Sequence, residues 1–212
     1  MSFNQLTESK TIVIEGLELS LTQYLSNLKI LKDVREIAEA RLQSFLKTFT
    51  CTKNQDVQNF LTTDQCISFE NRNRSRTYLI LNERNEIVGY FALALKTLFA
   101  RKKSITNSIR KKINPGKCRS SISTDIDYYT VYLIGQIGRN DSFSTKDLCL
   151  SDILTEIFSI LVEVQNKVGG SSILIEVDNN TKLIDLYRKH GFQYLEADQE
   201  GLSQLLILFD AI

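Results

Sequence analysis

The chain opens on a short alternation of apolar and polar residues, TIVIEGLE over 11–18, which predicts an edge strand. From Leu19 to Thr48 the spacing becomes helical, with Leu25, Leu28, Leu31, Val34, Ile37, Ala38, Leu42 and Leu46 forming a broken stripe. A second helix is expected next, with Asp56 as its N-cap and Val57, Phe60, Leu61, Cys66 and Ile67 on its buried side. The apolar period then shortens from helical to alternating. RTYLIL (76–81) and IVGYFALALKTL (87–98) are rich in β-branched and aromatic residues and flank the polar turn NERNE, which predicts a hairpin.

Residues 99–124 break this pattern. They hold Arg101, Lys102, Lys103, Arg110, Lys111, Lys112, Lys117 and Arg119, no acid, and the chain's single proline, Pro115. They read as an inserted basic loop with a short helix at 104–113. A strong strand follows, DYYTVYLIGQIG (127–138), then an amphipathic helix from about Ser151 to Val168 that Gly169-Gly170 ends. SSILIEV (171–177) is a short buried strand, 179–190 is a helix stopped by Gly191, and GFQYL and SQLLILF form a final strand pair. Strand–helix–strand requires a parallel pair inside an otherwise antiparallel sheet, hence a mixed α/β fold. Residues 1–48 form a strand/helix extension packed on a domain over 49–212.

Composition narrows the chemistry more than the fold. With 212 residues, 42% hydrophobic and 24% charged, the chain is an ordinary globular one that needs no metal or disulfide staple. A net charge of +1 gives no bulk attraction to nucleic acid or membrane. Cys51, Cys66, Cys118 and Cys149 are far apart and His190 is the one histidine, so no zinc ligand set forms. No basic start with an apolar core marks the N-terminus and no apolar run spans a bilayer, so a soluble, cytoplasmic protein is expected. There is no nucleophile elbow before His190, no P-loop and no dinucleotide fingerprint.

The most informative segment is Asn180–Phe192, NTKLIDLYRKHGF. Leu183, Leu186 and Tyr187 share a helix face, Gly191 ends the helix and Phe192 starts a strand. By itself Tyr187 reads as a core aromatic. The segment nevertheless resembles the signature N-x-x-A-x-x-x-Y-x-x-x-G-F of the GNAT acyltransferases, with Asn180, Tyr187, Gly191 and Phe192 matching and Leu183 in place of alanine. SRTYLILNERNEIVGYFALA (75–94), VYLIGQIGRN (131–140) and FTCTKNQDVQNFL (49–61) are similar to segments of the branch that includes acetyltransferase toxins.

The resemblance implies a mostly antiparallel sheet of about six or seven strands flanked by helices. It implies transfer of an acetyl group from acetyl-CoA, as co-substrate, to a primary amine that attacks the thioester directly. Asn180 would contact CoA and Tyr187 would protonate the leaving thiolate, since a phenol with a pKa near 10 keeps its proton at pH 7. Pantetheine would pair with backbone around Ile137, Gly138 and Arg139. Where most members carry a glycine-rich pyrophosphate loop, this chain has Ser144-Thr145-Lys146-Asp147-Leu148-Cys149-Leu150-Ser151. The start of the helix near Ser151, with Lys146, is then the candidate phosphate site.

Glu176, on the strand beside the expected cleft, is a candidate proton relay for the amine, set against a structural ion pair. His190 reads as a solvated helix end. Cys149 stands at a helix N-terminus and reads as a packing cysteine. The basic run suits a solvated loop, the CoA 3′-phosphate or RNA. Two other readings follow: a catalytically weak or inactive GNAT-fold binding module, and a toxin-type acetyltransferase acting on aminoacyl-tRNA. The protein is expected as a monomer or homodimer, without a metal and without a membrane partner.

Overall fold

The structure is a computed structural model that describes residues 12–14, 17–19, 42–84, 86–101, 103–113, 126–198 and 200–212. The edge strand expected at 11–18 is two strands, β1 (Ile12–Ile14) and β2 (Leu17–Leu19), paired antiparallel with each other. Of the helical stripe expected over 19–48, residues 42–46 are helical and 20–41 lie outside the described residues.

The main sheet has six strands in the order β3-β4-β5-β6-β8-β7: β3 (Arg76–Leu81), β4 (Ile87–Arg101), β5 (Ile126–Arg139), β6 (Ser172–Val177), β7 (Gln193–Ala197) and β8 (Ser203–Leu208). Two compact units divide the chain. One comprises Met1–Leu93 with Gln136–Glu156, the other Ala94–Gly135 with Ile157–Ile212.

In the first unit, α1 (Gln55–Thr62) and α2 (Gln65–Asn71) replace the single helix expected there. The apolar spacing runs on unbroken through Cys66 and Ile67, but the backbone turns extended at Thr63. Thr63 Oγ1 accepts from Gln65 N at 3.3 Å, a local alternative to the helical ladder. Asp56 is not the N-cap. Asn54 takes that place, its Oδ1 accepting from Asp56 N and Val57 N, both at 3.1 Å. Asp56 then stands in the first turn, where a carboxylate favours the helix dipole equally well.

Val57, Phe60, Leu61, Cys66 and Ile67 are all buried, as their spacing required. They enclose Tyr90 of β4, whose hydroxyl donates to Val57 O at 2.5 Å while its ring meets Phe49 edge-on. Asn140, 3% exposed, ties the end of β5 down: Nδ2 donates to Ile87 O at 2.8 Å and Oδ1 accepts from Thr50 Oγ1 at 3.0 Å.

The second unit holds the parallel pair. β5 pairs with β6 over Tyr132↔Ile173, Leu133↔Leu174 and Ile134↔Ile175, and β8 lies antiparallel between β6 and β7. Helix α4 (Leu150–Val168) makes the crossover from β5 to β6. Gly169 and Gly170 follow it at positive φ, and a Cβ on Gly170 would run into the Tyr132 ring.

The basic run is not a free loop where it is described. β4 continues to Arg101, and α3 (Asn107–Ile113) buries Ile109 and Ile113. With Ile105 they pack against Leu98, Tyr129, Leu174 and Leu206. The charges had masked an apolar period of four on one side of that helix. Arg110 Nε pairs with Asp127 Oδ2 at 2.7 Å, and Lys112 Nζ with Asp210 Oδ2 at 3.0 Å. Pro115, Lys102, Lys117, Cys118 and Arg119 lie outside the described residues.

Candidate functional site

Helix α5 (Thr181–Lys189) carries the signature segment, and its local structure follows from the caps. Asn180 adopts an extended backbone and its Oδ1 accepts from Lys182 N at 2.9 Å, making it the N-cap. At the other end Gly191 takes φ +90°, and the Tyr187 carbonyl accepts from both His190 N (2.9 Å) and Phe192 N (3.2 Å).

Tyr187 is buried, while Leu186 beside it is 39% exposed, so the apolar face expected to include both narrows to Tyr187. The Tyr187 ring meets Phe192 edge-on at 5.7 Å, and Phe192 in turn packs on Phe158. Its hydroxyl makes no hydrogen bond among the described residues. Burial pushes its pKa up to about 12, so the phenol is fully protonated across the physiological range. A phenol that keeps its proton and has no hydrogen-bond partner among the described residues is what an acid awaiting a substrate anion requires.

Glu176 is clamped. Lys96 Nζ lies 2.7 Å from Oε1 and 2.5 Å from Oε2, and Gln204 Nε2 donates to Oε1 at 2.9 Å. This is the ion-pair arrangement set against the proton relay. Neither Lys96 nor Gln204 was singled out by sequence, although each left a trace. Lys96 is the one charge within the apolar run 87–100, and Glu176 the one charge within 172–177. An isolated charge in each of two buried strands calls for a partner.

The remaining candidates belong to the first unit. Arg139 Nη1 donates to Leu148 O at 3.4 Å. Gly138 is a packing glycine: a Cβ there would lie 2.6 Å from Val57 Cγ1, 2.7 Å from Tyr90 Cε1 and 2.9 Å from Phe49 Cζ. The glycine-free loop organises itself through its acids. Asp147 Oδ2 accepts from Ser144 N and Ser144 Oγ, both at 2.7 Å, and the Ser144 hydroxyl first, then its amide, holds the Asp147 pKa down.

Asp152 Oδ2 accepts from Cys149 N at 2.7 Å, half of a capping box. The N–H groups of Leu150, Ser151 and Asp152 at the start of α4 have no partner among the described residues. They fit a phosphate, with the exposed Lys146 nearby in sequence, while the ionised Asp147 reduces the attraction. No group of His, Cys, Asp and Glu able to hold a metal is present among the described residues, and no described helix is long and apolar enough to cross a membrane.

No protein family matches the sequence, and no curated protein does. Solved structures match in fold. A structure of AtaT complexed with acetyl-methionyl-tRNAfMet superposes with a TM-score of 0.60 at 16% identity, over 78% of this chain and 88% of that one. AtaTR bound with AcCoA gives 0.57 at 16% identity, over 78% and 87%. A tyrosine-to-phenylalanine mutant of KacT gives 0.59 at 14% identity, over 76% and 86%. The fold is that of the GNAT acyltransferases. In this GNAT-fold protein the mixed six-stranded sheet, its parallel β5–β6 pair and the helix carrying Tyr187 stand in the order that the sequence led one to expect.

Proposed function

We propose that the protein is an acyl-CoA-dependent N-acyltransferase that moves an acetyl group from acetyl-CoA to a primary amine, with Tyr187 as the general acid. The observation that carries this reading is Tyr187 on α5 of a GNAT fold, its side chain buried and its protonated hydroxyl without a hydrogen bond among the described residues. Its high pKa suits hydrogen-bond donation to the developing thiolate more than complete loss of the proton, because an ordinary thiol titrates near 8.5. As the C–S bond breaks, the CoA thiolate leaves hydrogen-bonded to the phenol, and the proton that the amine nitrogen sheds as the amide forms goes to solvent.

The pantetheine of acetyl-CoA would pair with backbone groups near Ile137, Gly138 and Arg139. Its pyrophosphate would meet the amides of Leu150, Ser151 and Asp152 with help from Lys146. Asn180 would contribute its Nδ2, because its Oδ1 already caps α5.

For the acceptor, aminoacyl-tRNA is favoured by the likeness to AtaT complexed with acetyl-methionyl-tRNAfMet. Lys103 and Lys111 are exposed, form no ion pair among the described residues, and would offer phosphate contacts. A binding module of weak or no activity is the second reading, which the ionised Asp147 in the phosphate loop favours.

Thiol release from acetyl-CoA with a panel of amines tests turnover, and a thermal shift tests binding. At 100 times the dissociation constant acetyl-CoA adds about 2.7 kcal/mol of stability. Tyr187→Phe is expected to lower kcat by about 10²–10⁴-fold with the acetyl-CoA shift intact. A thermal shift without thiol release from wild type supports the binding module, and unchanged turnover in Tyr187→Phe returns Tyr187 to the core.

A further inference from the structure

Lys96, Glu176 and Gln204 lie on one face of the second unit's sheet. By the two-residue alternation Lys96 shares the face of Leu98 and Ala100, while Glu176 and its register partner Gln204 share that of Leu174 and Leu206. Leu98, Ala100, Leu174 and Leu206 form one apolar cluster with Val131, so the polar trio stands where that cluster ends.

β5 runs between β4 and β6, so the Lys96 side chain crosses over it to reach Glu176. Glu176 is the first β6 residue past the last β5–β6 rung, Ile134↔Ile175, and its neighbour in that sequence of rungs is Gly135. Val131 and Leu133 pack into the cluster, and Gly135, two residues on, continues their face without a side chain. The Lys96 side chain thus passes over β5 near a residue that has no side chain of its own.

We propose that Glu176 and Gln204 form a seat for the primary ammonium of the acceptor, and that Lys96 is its built-in occupant, which an incoming amine must displace. This rests on the acyltransferase reading for the use made of the seat, not for its existence. The chemistry matches directly, since what both Glu176 oxygens hold is an unhindered primary ammonium. Glu176 is 11% exposed at its side chain and Lys96 36%, so the carboxylate is fixed while the cation has a way out to water. A carboxylate that far from solvent is costly without a cation, which draws an amine in once Lys96 leaves. An occupied seat also lowers apparent affinity by the fraction of molecules in which it is free. Primary alkylammonium groups on unbranched stems are the class that fits; tertiary amines and guanidinium groups are too bulky for the place that Lys96 fills.

The test uses the full chain and the probe Nα-acetyl-lysine methylamide in calorimetric titration, with melting curves to verify folding. Lys96→Gln, which keeps a hydrogen bond to Glu176 without the charge, is expected to bind the probe about tenfold or more tighter than wild type. Lys96→Met is the second variant, and adding Glu176→Gln to either should abolish binding. In wild type, saturating probe should shift the ¹³Cε resonance of Lys96. Equal affinity in wild type and Lys96→Gln, binding that survives Glu176→Gln, or an unmoved Lys96 resonance at saturation overturns the seat. Tight binding by Lys96→Gln without thiol release from acetyl-CoA upholds the seat and counts against the acyltransferase reading instead. Where turnover is present, the same variant should lower KM for the amine and leave KM for acetyl-CoA unchanged, a split that a merely structural ion pair does not give.

Discussion

Gly138→Ala is the sharpest test of the packing in the first unit. The added methyl would meet Val57 Cγ1 at 2.6 Å, Tyr90 Cε1 at 2.7 Å and Phe49 Cζ at 2.9 Å, against an optimal carbon–carbon separation of about 3.5–4.0 Å. None of the three can retreat cheaply. Tyr90 is 0% exposed with its hydroxyl bonded to Val57 O, and Phe49 is 1% exposed and wedged edge-on against it. A single overpacked methyl in such a place costs about 1–3 kcal/mol, and three close contacts put the expectation at the upper end.

Val57→Ala removes two methyls, at about 0.8 kcal/mol each, and also removes the shortest of the three contacts. The double variant should therefore be more stable than the sum of the single losses by about 0.5 kcal/mol or more. Urea denaturation of the four proteins, compared at equal m, measures this. Because the methyl enters the core side, acetyl-CoA binding by the double variant should match that of Val57→Ala. A Gly138→Ala loss under about 0.5 kcal/mol, or strict additivity, would refute the packing account and return Gly138 to a role on the ligand side.

Three further outcomes are expected. Burial pushes the Cys66 thiol up from 9.0 to about 12, so the native state holds a proton that the unfolded chain sheds first. Its contribution is complete below pH 9 and falls by about 1.4 kcal/mol per unit as pH rises towards 12, and Tyr187 adds the same slope from pH 10. Urea midpoints taken between pH 8 and 10 should show this decline, and Cys66→Ala should reduce it between pH 9 and 10, the rest belonging to Cys51, whose thiol burial also pushes up. Asn140→Ala should cost about 1–3 kcal/mol, because it strands Ile87 O in the interior while the exposed Thr50 turns its hydroxyl to water; Asn140→Asp, which puts a carboxylate oxygen against Ile87 O, should rescue nothing in a thermal melt. Tyr187→Phe should retain most of its stability, since its hydroxyl has no partner among the described residues to lose, so that its fall in kcat reads as chemistry rather than unfolding.

The sequence by itself determined the elements wherever the apolar period was regular. Strand β3, the long β5, the α4 crossover and the α5 segment ended by Gly191 stand within about two residues of their expected bounds, the ordinary uncertainty of helix and strand ends, while β4 runs three residues past its expected end at Leu98. Periodicity is a local signal, and it reports which face of a segment must leave water. It also gave the mixed sheet, because a strand–helix–strand step has few ways to close.

Caps and breaks were decided by single side chains competing for the same backbone amides, as when Asn54 took the cap expected of Asp56. The basic run hid an apolar face, because its charges dominated the reading and Leu174 and Leu206, which Ile105 and Ile109 cover, lie far along the chain. Tyr187 was legible through its spacing from Asn180 and Gly191, and the lack of a hydrogen bond to its hydroxyl among the described residues was not. The clamp on Glu176 was equally out of reach, since Lys96 stands 80 residues away and Gln204 28. Such contacts exist only once the strands are laid side by side, because ion pairs are set by distance in space. What each strand buries is written along it; which lone charge meets which is settled by strand order and register alone.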